Sequence, residues 1–206
     1  MTRLYGGLAP KERRAARRRR LMDAGLALFG VIGFGKTTIP NLCRTAGVTT
    51  AHFYEEFGTL ERLLEAVYAE IAETVFERVR AELRTPDRSG AERIRAAHDA
   101  YFGYLTSDER RARIYALGAI GVSPEFERYR RLHHEAFVAQ GARAAAKAGA
   151  IKPATLDYRL LSAALAGAAL ALLTDWIFAD PRPSIDQLST HLTVLWVSAL
   201  GEQSRA

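Results

Sequence analysis

Cysteine and β-branched residues are scarce in this chain. Its 206 residues include one cysteine, 9 valines and 9 isoleucines, against 36 alanines and 24 leucines. Cys43 alone cannot form an internal disulfide, and the basic segment from Met1 to Arg20 lacks the apolar core of a secretory signal, so we expect a cytoplasmic protein. Straight-chain residues favour helices, whereas β-branched residues favour strands. We therefore predict an all-α fold.

Long apolar runs are also missing. The least polar stretch, Leu160 to Leu173, contains 14 uncharged residues, which is shorter than a membrane-spanning helix requires. We therefore predict a buried helix there and no membrane segment. A composition of 49% hydrophobic and 25% charged residues excludes a disordered chain and suffices for a small domain plus a larger one.

Positive charge is concentrated in the first quarter of the chain. Residues 1–54 contain 10 lysines and arginines against 2 acidic residues, whereas residues 55–206 contain 19 against 21. The densest run extends from Lys11 to Arg20 and is offset only by Glu12. Such a run repels itself and is relieved by a polyanion such as nucleic acid, although a solvated arm is an equally good interpretation of the run alone.

Two short helices are predicted between residues 38 and 56, after a first helix whose apolar face begins near Ala15. Thr38 caps the first of them and Gly47 ends it; Thr50 caps the second, which carries Ala51–Glu56. Two short helices joined by a tight glycine-containing turn form a helix-turn-helix, whose second helix reads DNA. The other predicted helices cover 59–85, 91–106, 107–121, 124–150, 155–179 and 184–202.

A phosphate-loop pattern, G-x-x-x-x-G-K-[ST], also occurs, at Gly30–Thr37. It is the basis of the alternative function, a nucleotide-binding NTPase. That motif requires a strand before it and a long helix after it. Here an amphipathic helix precedes the motif, and Pro40 and Gly47 leave room for only a short helix after it. The sequence therefore disfavours the NTPase.

Residues 21–64 resemble the DNA-binding domain of the tetracycline-repressor (TetR) family of bacterial transcription regulators, with matching spacing throughout. The resemblance implies residues 1–58 as a basic arm with a DNA-binding domain and 59–206 as a helical ligand-binding and dimerisation domain. The residues that carry it are Ala24, Leu28, Phe29, Gly33, Thr37, Thr38, Leu42, Ala46, Gly47, Val48, Phe53, Tyr54, Phe57, Glu61, Leu63 and Leu64.

The resemblance further implies a homodimer that places the third helix of each subunit in the major groove of a palindromic operator, more often as a repressor than an activator. Hydroxyl groups donate to phosphate oxygens, and Thr or His side chains can meet base edges. Val48, Phe53 and Phe57 are predicted to be core. The predicted DNA-contacting residues are Arg17, Arg18, Lys36, Thr37, Thr38, Thr49, Thr50, His52 and Tyr54.

The sequence departs from the family at several positions. Leu60 stands where a lysine is usual, Glu55 and Glu56 bring negative charge close to the expected DNA, and Pro40 removes a donor from a first helical turn. We expect the arginine-rich run to compensate, by entering the minor groove or lying along the DNA backbone.

The second domain is implied to bind a small, mostly apolar effector that releases the operator. Aromatic residues at helical spacing are candidates for the pocket wall, although such residues are commonly plain core. The predicted ligand-binding residues are Tyr101, Tyr104, Tyr115, His134, Phe137, Tyr158, Asp175 and Trp176.

A dimer interface is expected on the last two helices, because a helix that is apolar around most of its circumference must be covered on several sides. The predicted interface residues are Ala163, Gly167, Ala171, Leu188, Leu192 and Leu195. Burial of that face within one subunit is the alternative.

Other chemistry has little support. His133, His134 and Glu135 are consecutive, so on a helix they point about 100° apart and do not form a zinc pair. We predict no metal site, no cofactor and no enzymatic activity. A helical interaction protein whose basic arm binds RNA or membranes without sequence preference is a further alternative.

Overall fold

The computed structural model describes residues 9–118, 122–147 and 157–200. Within these ranges the chain is helical and has no strand, which confirms the predicted all-α fold. A 3₁₀ turn covers Phe34–Lys36. The helices are α1 (Pro10–Val31), α2 (Ile39–Ala46), α3 (Thr50–Glu56), α4 (Leu60–Arg84), α5 (Gly90–Thr106), α6 (Glu109–Ala116), α7 (Pro124–Lys147), α8 (Tyr158–Phe178) and α9 (Ile185–Leu200).

The helix-turn-helix is formed by α2 and α3. Thr38 caps α2 through its hydroxyl, and Gly47 ends the helix in the left-handed conformation at φ 61°, both as predicted. The predicted cap of α3, Thr50, is wrong by one residue. Thr49 is the cap, because its backbone is extended and its hydroxyl accepts the backbone N–H of His52 at 3.4 Å. Thr50 is consequently the first residue of the helix.

The first four helices share one apolar core. Leu21, Leu42, Phe53 and Leu63, one from each helix, are fully buried. Gly25 lets α1 approach α4 closely, since a β-carbon on it would lie 3.3 Å from a methyl group of Leu63. The residues predicted for this core lie in it or pack against it: Val48, Phe53 and Phe57.

The long helix α4 connects the N-terminal helices to the rest of the chain. The hydroxyl of Thr59 caps it by accepting the backbone N–H of Arg62 at 3.2 Å, as predicted. Its buried face, from Leu63 to Val79, packs against α1, α5 and α7. The two parts of the molecule therefore share a continuous core.

The helices α1 and α6 approach each other at Gly30. A β-carbon placed there would lie 2.5 Å from Cβ and 2.7 Å from Cα of Arg110, so the contact requires glycine. Gly30 also opens the phosphate-loop pattern, but α1 leads into that pattern and the short α2 comes after it. The context that a phosphate loop requires is absent from the described part of the chain.

The helices α5 to α9 form the second part. α6 begins later than its predicted range 107–121 because Asp108 caps it, with a carboxylate oxygen 3.1 Å from the backbone N–H of Arg110, and it ends at Ala116. Asp157 likewise caps α8, and the hydroxyl of Ser184 accepts the backbone N–H of Gln187 at the start of α9. The predicted boundaries at 121, 150, 155 and 202 lie outside the described residues.

α8 is longer than the apolar run seen in the sequence. It has 21 residues, and its most apolar window has a mean hydropathy of 1.8, so its length and composition would suffice to cross a membrane. Here it packs against α6, α7 and α9, and 33% of its most apolar window is buried. The absence of a membrane segment stays a prediction.

Candidate DNA-binding surface and ligand cavity

α3 has one buried aromatic side and one side open to solvent. Phe53 is fully buried and its ring lies 6.4 Å from that of Phe57. On the other side, Thr50, Ala51 and Tyr54 are exposed, Tyr54 to 58%. The helix therefore presents two hydroxyl-bearing side chains around a methyl group.

Most of the predicted DNA-contacting residues face solvent, but Thr37 does not. It is only 6% exposed, and its hydroxyl donates to the carbonyl of Gly33 at 2.9 Å. Thr37 therefore stabilises the loop before α2, and its assignment to a phosphate is corrected. The exposed members of the set are Arg18, Lys36, Thr38, Thr49, Thr50 and Tyr54.

Two carboxylates at the end of α3 are engaged by basic groups. Glu55 Oε2 lies 2.9 Å from His52 Nδ1, and this hydrogen bond lowers the pKa of the Glu55 carboxyl. The Glu56 carboxylate accepts from Arg14 Nε at 2.6 Å, and its side chain is only 4% exposed. Pairing with Arg14 and His52 reduces the repulsion that these carboxylates would exert on a phosphate backbone.

The basic run Lys11–Arg20 belongs to α1, which begins at Pro10. The run is therefore helical, and its expected contact with the minor groove or the DNA backbone stays a prediction. Part of the positive charge is also neutralised internally, since Arg19 forms ion pairs with Asp23 and Glu70 at 2.6 Å each.

The remaining arginines of α1 flank the helix-turn-helix. Arg18 lies over the ring of Phe57, 4.5 Å from its centre. Arg17 is partly buried, and its Nε has no hydrogen-bond partner among the described residues. Arg20 reaches the turn between α2 and α3, with Nη1 3.9 Å from where a β-carbon of Gly47 would lie. Positive charge thus borders α3.

A cavity of about 390 Å³ lies among five helices of the second part. Its walls are mostly apolar. The lining residues are Val79, Leu83 and Arg84 of α4; Gly90, Arg93, Ile94, Ala97, His98 and Tyr101 of α5; Phe137, Gln140 and Gly141 of α7; Leu165, Ala166 and Ala169 of α8; and Leu192 and Trp196 of α9.

Of the predicted ligand-binding residues, Tyr101 and Phe137 line this cavity, with ring centres 6.0 Å apart. Two other aromatic residues have structural partners instead. The guanidinium of Arg78 covers the ring of Tyr104 at 4.8 Å, and Tyr115 is partly buried and stacked on Tyr68 at 5.8 Å.

The other four predicted ligand-binding residues also lie outside the cavity lining. Trp176 is buried in the core with Arg182 over its ring at 4.5 Å. Tyr158 is the first residue of α8 and is partly buried. His134 and Asp175 are exposed. Helical spacing correctly predicted that some of these aromatic residues face inward. It did not predict which of them border a cavity.

His98 is a cavity residue that the sequence prediction missed. Its Nδ1 lies 2.8 Å from the hydroxyl of Thr193, and burial lowers its pKa to about 4. The ring is therefore neutral near pH 7. Its position three residues before Tyr101 on one helix face could have indicated it, since a histidine within an apolar stripe is unusual.

The predicted interface residues divide into two groups. Leu188 and Leu192 are only 4% and 1% exposed within the single chain, so they are not on the surface that a second subunit could contact. Gly167, Ala171 and Leu195 are exposed, and Ala163 is partly so. Several larger apolar side chains that the prediction omitted are exposed on the same two helices: Leu160, Phe178, Ile185 and Val194.

Comparison with known proteins agrees with this geometry. The family model for bacterial regulatory proteins, tetR family, matches residues 21–67. The HTH-type transcriptional regulator BetI of Klebsiella pneumoniae is 32% identical over 84 residues, which cover 39% of this chain and 42% of that protein. The match thus spans about two-fifths of the length of this curated relative.

Solved structures extend the likeness across the whole fold. The fatty acid degradation regulator FadR from Bacillus halodurans has a TM-score of 0.79 at 16% identity, covering 92% of this chain and 97% of that one. FadR from Bacillus subtilis, in complex with stearoyl-CoA, has a TM-score of 0.78 at 20% identity, covering 87% and 97%. At these identities the likeness concerns the fold.

An exposed helix-turn-helix on an all-helical chain is the arrangement found in the DNA-binding transcription regulators that this chain resembles. Residues 21–67 thus resemble the DNA-binding domain of the tetR family of bacterial regulatory proteins, whose family model they match.

Proposed function

We propose that the protein binds a palindromic operator as a homodimer and acts as a repressor that a small molecule in the cavity releases from DNA. The observation that carries the DNA-binding part is the solvent-facing side of α3, which exposes Thr50 and Tyr54. Arg18 of α1 lines the same surface pocket as Tyr54.

The proposed DNA contact follows from the shape and charge of this surface. A seven-residue helix fits the major groove, where hydroxyl side chains can meet base edges and phosphates. The small Ala51 lets the α3 backbone approach the bases closely. Lys36 and the cap Thr38 are exposed beside it, and the guanidinium of Arg20 supplies sequence-independent attraction to the backbone.

A second copy of the chain is proposed to cover the exposed apolar face of α8 and α9. Phe178 and Val194 are 66% and 58% exposed, and Leu195 is 49% exposed. Apolar side chains grouped on neighbouring helices mark an interaction surface, and a twofold axis would bring the same face of two subunits together. A β-carbon on Gly167 would have no atom within 4 Å, so this position leaves room for a partner helix.

The cavity is proposed as the effector site. Its volume of about 390 Å³ lies in the range of small-molecule pockets. One structural neighbour, FadR from Bacillus subtilis, was solved in complex with stearoyl-CoA, which supports a ligand with an apolar body. To release DNA, such a ligand must bind the conformation with low DNA affinity more tightly than the conformation with high DNA affinity. A ligand with equal affinity for both would not change their populations.

Selection of bound fragments from random DNA near physiological salt tests the DNA-binding proposal. We expect enrichment of a palindrome by the wild-type chain and loss of the enrichment by the double variant Thr50→Ala, Tyr54→Ala. Both side chains are exposed, so the variant should keep its fold. Fragments without a common sequence, or ATP-dependent binding in place of DNA binding, would contradict the proposal.

Sedimentation analysis of Leu195→Glu tests the dimer separately. A carboxylate placed in an apolar interface must be desolvated, so we expect monomers and weak operator binding. Leu132→Glu is the control, because Leu132 is 60% exposed and lies on α7, outside the proposed interface. A dimeric Leu195→Glu, or association of the wild-type chain with lipid vesicles in place of a second copy, would refute this arrangement.

A further inference from the structure

We propose that the cavity binds an acyl-chain amphiphile whose anionic end lies against Arg84 and Arg93 and whose neutral acceptor group lies against Gln140. This rests on the proposed effector site and specifies the ligand's chemistry. Both arginines line the cavity at adjoining helix ends, Arg84 in the last turn of α4 and Arg93 in the first turn of α5.

The two arginines supply the only charges of the described cavity lining, which contains no acidic side chain. Neither guanidinium has a hydrogen bond or an ion pair within the described ranges. Nearby arginines are paired: Arg88 with Glu82 at 2.7 Å, and Arg95 with Asp186 at 2.6 Å. Arginines that line a cavity without a carboxylate partner are suited to an anionic group of a ligand.

Neighbouring carboxylates do not satisfy these arginines. Glu82 is engaged by Arg88, and Glu92 accepts the backbone N–H of Ser89 at 2.7 Å as part of the cap of α5. Of the lining residues, Arg84 alone is exposed. The positive charge therefore lies where the cavity meets solvent, so a charged ligand group could bind there without full desolvation.

The deeper part of the cavity has the opposite character. From Arg93 to Tyr101 the lining follows α5 for about 12 Å, with Ala97 and a neutral His98 between them. Phe137 faces the ring of Tyr101 at the far end. An elongated apolar chain therefore fits the interior. A charged ligand group placed there would lose its hydration without gaining a partner of opposite charge.

Gln140 adds a specific polar contact within the apolar wall. It lines the cavity, is only 8% exposed, and its Nε2 has no hydrogen-bond partner among the described residues. A buried amide donor without a partner is costly. It lies one turn of α7 beyond Phe137 and next to Gly141, where a β-carbon would lie 3.2 Å from the Trp196 ring. The carbonyl of an acyl group would satisfy it there.

Calorimetry in the absence of DNA tests this with four probes that share a decyl chain: decanoate, decanoyl-CoA, decan-1-ol and decyltrimethylammonium. We expect at least one anionic probe to bind roughly tenfold more tightly than the alcohol and the cation. Preference for decanoyl-CoA, which has a thioester carbonyl and separate phosphates, supports both contacts. Preference for decanoate, whose only polar group is its carboxylate, would keep the arginine contact and overturn the Gln140 contact.

Variants locate the effect. The double variant Arg84→Gln, Arg93→Gln should lose the preference for the anion but retain its affinity for the alcohol, whereas Arg88→Gln should behave as wild type. Gln140→Leu should weaken decanoyl-CoA by several-fold and leave the alcohol unchanged. Thermal melts check that each variant is folded.

Three results would overturn the assignment: no probe binds, the neutral or cationic probe binds as tightly as both anionic ones, or the Arg84→Gln, Arg93→Gln variant keeps the preference. Because these measurements omit DNA, they are independent of operator binding. An anion preference without any effect on an operator complex would instead refute the proposed effector response and leave the ligand chemistry in place.

Discussion

The helix-turn-helix and the cavity are built in opposite ways. Around α3, the aromatic Phe53 is buried and the polar groups face solvent. Around the cavity, polar groups such as His98 and Gln140 are buried, and the apolar walls leave space between them. The first site is a surface fixed by two short capped helices, whereas the second exists only where five helices meet. The helix-turn-helix therefore depends on local structure and the cavity on tertiary packing.

The largest effect is expected for Phe53→Ala, which tests whether α3 is held by its buried side. Removing a fully buried phenylalanine should lower the free energy of unfolding by about 3–5 kcal/mol, as measured by urea denaturation. Tyr54→Ala, one residue along the same helix, should change it by less than about 0.5 kcal/mol. Equal losses would mean that α3 has no distinct inner and outer sides.

An effect of pH is expected on the cavity side. Burial lowers the pKa of His98 from 6.5 to about 4, so between these values the unfolded chain binds more protons than the folded one. The free energy of unfolding is therefore unaffected by the ionisation of His98 above pH 6.5. It decreases as the pH falls from 6.5 to 4, by on the order of 3 kcal/mol in total. Denaturation at several pH values should show this slope.

The matched variants for that measurement are both histidines. His98→Asn should flatten the slope between pH 6.5 and 4, while His134→Asn, at an exposed position, should leave it as in wild type. If the two variants behave alike, the low-pH loss has another origin and the interior of the cavity is less enclosed than described.

A smaller effect is expected on operator binding by Thr50→Ala. Loss of one hydroxyl contact should weaken operator binding by roughly 1–1.5 kcal/mol, or about tenfold, in a fluorescence anisotropy titration. Thr74→Ala removes a hydroxyl that donates to a backbone carbonyl within α4 and should leave affinity unchanged. If Thr74→Ala weakened operator binding more than Thr50→Ala did, α3 would not be part of the DNA interface.

The smallest effect is expected for Arg20→Gln. Because Arg20 lies beside the turn of the helix-turn-helix, its loss should weaken binding to every DNA sequence alike and reduce the slope of log affinity against log salt by roughly one. Arg80→Gln, whose arginine is paired with Glu77 on α4, is the control. An unchanged slope would show that Arg20 does not approach a phosphate.

The DNA-binding part was largely predictable because its signals are local. The cap Thr38 and the terminating Gly47 are where the sequence placed them, and the cap of α3 is displaced by one residue because Thr49 and Thr50 are chemically equivalent candidates. Burial of Phe53 followed from apolar type and spacing. Thr37 could not be assigned, since only the folded loop shows its hydroxyl bonded to Gly33.

The cavity was predictable only in part. Tyr101 and Phe137 were found because aromatic residues suggest pocket walls, but the same criterion selected Tyr115, which stacks on Tyr68 in the core. Arg84 and Arg93 carry no sequence pattern that separates them from surface arginines. Their distinction is the absence of a carboxylate partner within the described ranges, and that depends on which helix ends adjoin in three dimensions.

The contact between Gly30 and Arg110 bears on how the two halves of the molecule communicate. No side chain of residue 30 separates α1 from α6, so the two helices are in direct backbone contact there. A displacement of α6 toward α1 would therefore have to move α1 as well. Replacement by alanine would insert a methyl group into a gap that the backbone of Arg110 already fills. Position 30 therefore sets the shortest distance at which the first helix of the N-terminal part can lie against the part that contains the cavity.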